Sequence, residues 1–186
     1  MNETLIILMN RRSVRFFTEE PVGEDVIERI VAAGHAAPSG SGRNWRFIVV
    51  TDPVFRAELL EKARPRYETM LPGFPEAFQA VRHRIDGAVE DSIYYGAPAA
   101  VFVVAGGPSA DADGNLACAN IITAAGSEGL GSCYVWFGSL PLDDADVCAR
   151  MGLSEDERVF GPVVLGHPAP EQPPAAPKGE PTVVRI

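Results

Sequence analysis

The sequence is poor in the residues that build covalent or metal scaffolds. It has three cysteines, Cys118, Cys133 and Cys148, an odd number at wide spacing. Neither a disulfide framework nor a zinc cage fits that pattern, and reduced, mostly buried thiols of a cytoplasmic protein are expected instead. The three histidines, His35, His83 and His167, stand apart from any carboxylate or cysteine at ligand spacing, so no metal is expected. No apolar run reaches the roughly 18 residues of a membrane span, and no membrane partner is expected. Residues Met1 to Asn10 lack the basic start and long apolar centre of a secretory leader. Missing too are a Gly-x-Gly-x-x-Gly between strand and helix and a nucleophile elbow, which removes a Rossmann site and an α/β-hydrolase triad. Basic residues are outnumbered, 16 Lys and Arg against 25 Asp and Glu, for a formal net charge of −9. Generic nucleic-acid binding rests on a broad basic surface that releases counterions, so nucleic acid is not an expected partner.

What is present is one domain's worth of apolar sequence, spanning 1–186. Near its start stands Arg11-Arg12-Ser13-Val14-Arg15, three guanidinium groups and a hydroxyl within five residues of an acidic chain. Such a run is either a solvated charge patch or a site for one small anion, because arginine offers a planar fork of donors that stays charged.

Periodicity predicts a helix over Glu3 to Asn10, with Leu5, Ile6 and Met9 on one side, and an amphipathic helix through Val26, Ile27, Ile30, Val31 and Gly34. Trp45 to Thr51 reads as a strand, and Asp52-Pro53 caps a helix running to about Ala63. Pro65 to Pro75 reads as a mobile excursion beside a pocket, followed by a helix over Phe78 to Tyr95. The continuous apolar run Ala99 to Ala105 predicts a central strand, buried on both faces. Gly106 to Gly114 reads as loop, Asn115 to about Glu128 as helix, and Cys133 to Phe137 as strand. A helix over Leu142 to Met151 and a strand over Val159 to Leu165 complete the pattern, with Asp143, Asp144 and Asp146 in that helix's first turn, where carboxylates suit the dipole. From Gly166 to Pro181 the chain is proline-rich, and it ends in the β-prone Thr182 to Ile186. That tail is either an arm reaching a partner's sheet edge or a frayed terminus.

A second stretch stands out: Ala36-Ala37-Pro38-Ser39-Gly40-Ser41-Gly42-Arg43-Asn44-Trp45. Small residues there either form an ordinary connection or bring backbone donors and a serine to a planar ligand.

Together the two stretches resemble the nitroreductase family of FMN-dependent oxidoreductases, and the resemblance runs along nearly the whole chain. It is carried by Arg11 to Arg15 with the aromatics after it, by Ala37-Pro38-Ser39-Gly40 with Trp45 entering a strand, by Gly96-Ala97-Pro98, by Gly129 to Cys133, and by Val164 to Pro168. The resemblance implies an α+β fold, a three-layer α-β-α sandwich with a mixed, mainly antiparallel sheet. It further implies a domain-exchanged homodimer in which residues 166–186 form an arm reaching the partner subunit. FMN would lie at the interface. Arg11, Arg12 and Ser13 would hold its phosphate, joined by Lys178, and Pro38, Ser39 and Gly40 of the other subunit would touch the ring. A backbone amide in Val135-Trp136-Phe137-Gly138 would face flavin N5, with Trp136 and Phe137 at the cofactor, and Arg15 would favour the reduced state near N1 and O2. The chain departs from the family in Gly42-Arg43-Asn44, where either Asn44 would supply the usual amide contact or Arg43 would place a charge near the ribityl or pyrimidine end, and in the bulky Trp136-Phe137 pair, which would narrow the pocket.

The implied function is oxidoreduction. NADH or NADPH would reduce FMN, and a nitroaromatic or quinone would reoxidise it in a ping-pong cycle. Two alternatives are a flavin-binding or sensing protein of low turnover and a flavin reductase of another activated double bond.

Overall fold

A computed structural model describes residues 2–40, 42–175 and 177–186. Three residues of the sequence lie outside them: Met1 at the start, Ser41 in the small-residue loop and Ala176 in the tail. The helices are α1 (Glu3–Asn10), α2 (Glu24–His35), α3 (Pro53–Met70), α4 (Glu76–Asp86), α5 (Ala110–Ser127) and α6 (Ala145–Met151). The strands are β1 (Trp45–Val50), β2 (Ala99–Ala105), β3 (Gly131–Tyr134) and β4 (Arg158–Gly166), with a 3-10 helix at Trp136–Asp143.

The strands form one sheet in the order β1-β2-β4-β3, and all three pairings are antiparallel. All seven residues of β2 are buried, as a continuous apolar run demands of a strand covered on both faces. Alternation sends Ala100, Phe102, Cys133 and Val164 toward α3, α4 and α6 on one face. Ala99, Val101, Val103, Val163 and Leu165 meet α2 and α5 on the other, which makes three layers. No helix among the described residues is long and apolar enough to cross a membrane.

Five expectations need correction. The helix after Asp52 does not stop at Ala63 but runs through Pro65 to Met70. Phe55, Leu59, Ala63, Tyr67 and Leu71 form one buried stripe at intervals of four, and the burial of Tyr67 and Leu71 outweighs the backbone bond that Pro65 removes. The expected mobile excursion is therefore mostly helix, followed by a single 3-10 turn at Leu71–Gly73. The next helix ends at Asp86, well short of Tyr95, because Asp91 nucleates a turn: its carboxylate accepts from the N–H groups of Ile93, Tyr94 and Gly96 at 2.7–3.1 Å. The strand expected to reach Phe137 stops at Tyr134, and α5 starts at Ala110 inside the expected loop.

Asp144 is the N-cap of α6. It accepts from the N–H groups of Asp146 and Val147 and from Lys62 Nζ at 2.6 Å. Lys62 first, and the Val147 N–H next, hold its carboxyl below the ordinary value. A depressed folded-state value means that this stabilisation is present at neutral pH and is lost as pH falls through that value. The stability gap between wild type and Asp144→Asn, measured by urea unfolding, is therefore expected to be largest at pH 7 and to shrink below about pH 4. A gap that stays constant with pH would show the charge contributes nothing.

Beyond β4 the chain turns back along the start of the protein. Pro168 bridges to Phe17, and the Ala169 N–H donates to Phe16 O at 2.9 Å. From Glu171 onward the described residues form no helix or strand, and Val183, Val184 and Ile186 are exposed.

Candidate functional site

After α1 the chain leaves the helix at Arg11 and runs extended across the end of the sheet. Val14 is buried and donates its N–H to Ser132 O, and the Thr18 N–H donates to His167 O, both at 2.9 Å. In an extended segment alternate side chains share a face. Arg11, Ser13 and Arg15 accordingly gather around Cys133: burial pushes its thiol up, while Arg15, the hydrogen bond with Ser13 and Arg11 oppose that shift. Arg12 donates to Pro173 O in the tail. Lys178 returns to the same place, donating to Met9 O at 2.5 Å. Sequence-distant Lys178 thus joins the basic cluster.

The cations in this cluster are not saturated. The Nε atoms of Arg12 and Arg15 are buried without a hydrogen-bond partner, and the partners that Arg12 and Lys178 do have are neutral carbonyls. Phosphate oxygens are stronger acceptors for guanidinium and ammonium donors than amide carbonyls. The donor set therefore fits a phosphate ester.

Beside the cluster lies an aromatic wall. The Arg15 guanidinium sits 5.8 Å from the centroid of the Tyr95 ring. Phe137 is buried, whereas Trp136 is 54% exposed and packs edge-on against Phe137 and Phe74, with ring centroids 5.2 and 6.4 Å apart. Trp136 and Phe137 open the 3-10 helix, so their N–H groups have no partner within it. That is the physical basis for a backbone donor at this turn, which sequence periodicity misread as strand.

The loop Pro38 to Asn44 is built differently. Ser39 Oγ donates to Asp113 at 3.0 Å, and the Gly40 N–H donates to the same carboxylate at 2.9 Å. The Arg43 N–H donates to Ser39 Oγ at 2.8 Å, and Arg43 takes a left-handed φ of 58°. Two of the donors that this loop offered to a planar ligand are thus engaged by Asp113, a 3% exposed residue of α5. Asn44 is exposed, with its carbonyl accepting from the Gly106 N–H at 3.0 Å.

One chain does not bring the loop and the cluster together. The loop enters β1 at Trp45, which pairs with Ala105, which pairs with Arg158 at the start of β4. The basic thread crosses at Ser132, paired with Leu165 near the other end of β4. Those nine residues of strand put roughly 25 Å between the two. A separate cleft of about 640 Å³, lined by Arg66, Leu140, Cys148, Leu153 and Glu157 among others, shares no residue with either. Among the described residues no group of three or more His, Cys, Asp or Glu is placed to hold a metal ion.

A model of the nitroreductase family matches residues 8–167. The chain belongs to the nitroreductase family. Every site residue named above except Lys178 falls inside that nitroreductase match. A protein of Archaeoglobus fulgidus that carries the provisional name NADH dehydrogenase/NAD(P)H nitroreductase is 32% identical over 175 residues, 92% of this chain and 89% of its own. Among solved structures, an FMN-bound nitroreductase from Bacteroides fragilis superposes with a TM-score of 0.75 at 29% identity, covering 100% of both chains. Another, from Desulfitobacterium hafniense, gives 0.79 at 28% identity with the same coverage.

Three residues beside this candidate site escaped sequence reasoning: Asp113, Tyr95, and Arg82 of α4, a buried guanidinium that donates to the Tyr95 hydroxyl at 2.7 Å. Asp113 lay in an expected loop, and Tyr95 in an expected helix. Arg82 had a signal, since it falls between Phe78 and Ile85 on the apolar stripe of α4.

Proposed function

We propose that this chain is an FMN-dependent oxidoreductase that uses NADH or NADPH to reduce a small acceptor such as a nitroaromatic or quinone, in a ping-pong cycle. Membership of the nitroreductase family and FMN in two solved relatives support the chemistry. The single observation that carries the cofactor is the basic thread, with the buried, unpartnered Nε atoms of Arg12 and Arg15. Arg11, Arg12, Ser13 and Lys178 hold the phosphate, and Arg15 lies toward the pyrimidine end of the ring. FMN bound there supplies hydride acceptance and return at N5. The chain would supply position: the amide of Trp136 or Phe137 would orient N5, and the Pro38–Gly40 loop, fixed by Asp113, would lie with Asn44 against the ring.

That site needs two copies of the chain. The loop and the cluster lie at opposite ends of one sheet, and a symmetric dimer brings the loop of one copy to the cluster of the other. The apolar surface supports it: every residue of α1 is unburied, with Leu5, Ile6, Leu8 and Met9 44–60% exposed, and Leu116 on α5 is 42% exposed. The tail from residue 166 to 186 serves as the arm that reaches the partner.

Purified protein reconstituted with FMN is expected to show flavin absorbance, to run as a dimer, and to bleach anaerobically on addition of NADH or NADPH. A colourless protein after reconstitution overturns the cofactor. A yellow protein that no nicotinamide donor bleaches favours a flavin-binding role without turnover.

A further inference from the structure

One buried guanidinium touches both segments that frame the proposed ring site. Arg82, on α4, is 4% exposed. Its Nε donates to Tyr67 Oη at 2.9 Å, its Nη1 donates to Tyr95 Oη at 2.7 Å, and its Nη2 donates to Ser92 O. The guanidinium carbon lies 5.0, 5.3 and 5.7 Å from the ring centroids of Tyr67, Phe137 and Tyr95. The one carboxylate paired with it among the described residues is Asp86, at 3.8 Å, and Asp86 also accepts from the Tyr67 hydroxyl at 2.9 Å.

Tyr95 is the link to the basic thread. Its ring carries the hydrogen bond from Arg82 at the hydroxyl and has the Arg15 guanidinium 5.8 Å from its centroid. Its backbone holds a φ of 63°, costly for a residue with a side chain, and the Asp91 turn on both sides fixes it there. Phe137 is the link to the other wall, where the Tyr94 hydroxyl also donates to Gly138 O at 2.8 Å.

Core stability does not call for this arrangement. A well-packed apolar side chain among Tyr67, Phe137 and Tyr95 would avoid the desolvation of a buried cation. Two guanidiniums on one tyrosine, with a single shared carboxylate, leave net positive charge beneath the site. Strain and excess charge of this kind collect where a protein prepares to meet an anion.

The geometry points to Arg82 as a positioning residue. Through Tyr95 it holds Arg15, and through Phe137 it holds the Trp136 turn, so that bound FMN is easier to reduce. The inference rests on the FMN reading above. At an effective dielectric of about 20, a unit charge on the order of 10 Å from a reacting group shifts an equilibrium by roughly a factor of ten.

The test is the redox balance of bound FMN against a dye of matched potential, at saturating FMN and without any acceptor. Arg82→Met is expected to lower the ratio of reduced to oxidised FMN about tenfold, and Arg82→Lys to restore most of it by keeping the charge. Tyr95→Phe keeps the ring under Arg15 but drops the hydroxyl, and is expected to shift the balance the same way by a smaller factor. A wild-type balance in Tyr95→Phe and Arg82→Met overturns the inference. Should Arg82→Met fail to fold, an unchanged balance in Tyr95→Phe alone overturns it. A wild-type protein that takes up no FMN overturns the FMN reading, and this one with it.

Discussion

Arg12→Ala is expected to weaken FMN binding about 100-fold, read by quenching of flavin fluorescence on titration. Arg12 is a half-buried cation of the thread, its Nε already without a partner. The loss is that of two charge-assisted hydrogen bonds made in a partly dry setting. Lys178 is exposed on the tail and acts as a point charge, so Lys178→Ala is expected to cost only about tenfold. Unchanged affinity in Arg12→Ala would remove the phosphate from this thread. The same variant reports on the sharing of the site. Gly40→Val damages the loop, because a Cβ at Gly40 would lie 2.6 Å from Ser109 Oγ. Neither variant alone is expected to hold FMN well. When the two are unfolded together and reassembled, each mixed dimer regains one site with an intact loop from one chain and an intact cluster from the other. Were both walls to come from a single chain, mixing would restore nothing.

Gly114→Ala is expected to be the most damaging small change in the core. Helix α5 crosses the sheet at Gly114, and an added Cβ would stand 2.5 Å from Phe160 Cγ and 2.6 Å from Cε2. Phe160 is 7% exposed, packed with Ala110, Ala117 and Cys118 in the same apolar cluster, and has no room to swing away. Overpacking of that kind costs about 3 kcal/mol, equivalent to a fall in Tm of about 6–12 °C for a domain of this size. Gly129→Ala provides the comparison. Gly129 ends α5 with a φ of 75°, an added Cβ there would meet nothing within 4 Å, and the next residue, Leu130, donates its N–H to Ala125 O. Only the left-handed conformation is strained there, at about 1 kcal/mol. Equal losses in the two variants would show that α5 can shift off the sheet.

Much of this was legible in the residues themselves, for identifiable reasons. β2 was readable because a strand covered on both faces cannot carry polar residues, and α2 because its stripe repeats cleanly. The Arg11–Arg15 thread and the Pro38–Gly40 loop were readable as a pair only through the order of motifs along the chain. Local signals misled where tertiary burial outweighed them. Pro65 looks like a stop, yet Tyr67 and Leu71 continue the buried stripe beyond it. Cys133 to Phe137 has strand composition, yet Val135 donates its N–H to Pro162 O and the chain then turns into a 3-10 helix. Contacts between distant residues left no trace in sequence. Nothing in the acidic start of α5 announces that Asp113 will take the Ser39 hydroxyl, and nothing in Ser92-Ile93-Tyr94-Tyr95 announces a left-handed tyrosine between two arginines.

The distance between the loop and the thread, the length of β4, bears on how the protein would come into being. On the shared-site reading, a newly made chain would carry half of each of two sites and the whole of none. With a shared site, cofactor capture has to wait for pairing, and the fraction of chains loaded rises with their concentration even when FMN is plentiful. Dilution would then release flavin before it unfolds anything, and the colour of the solution would report assembly.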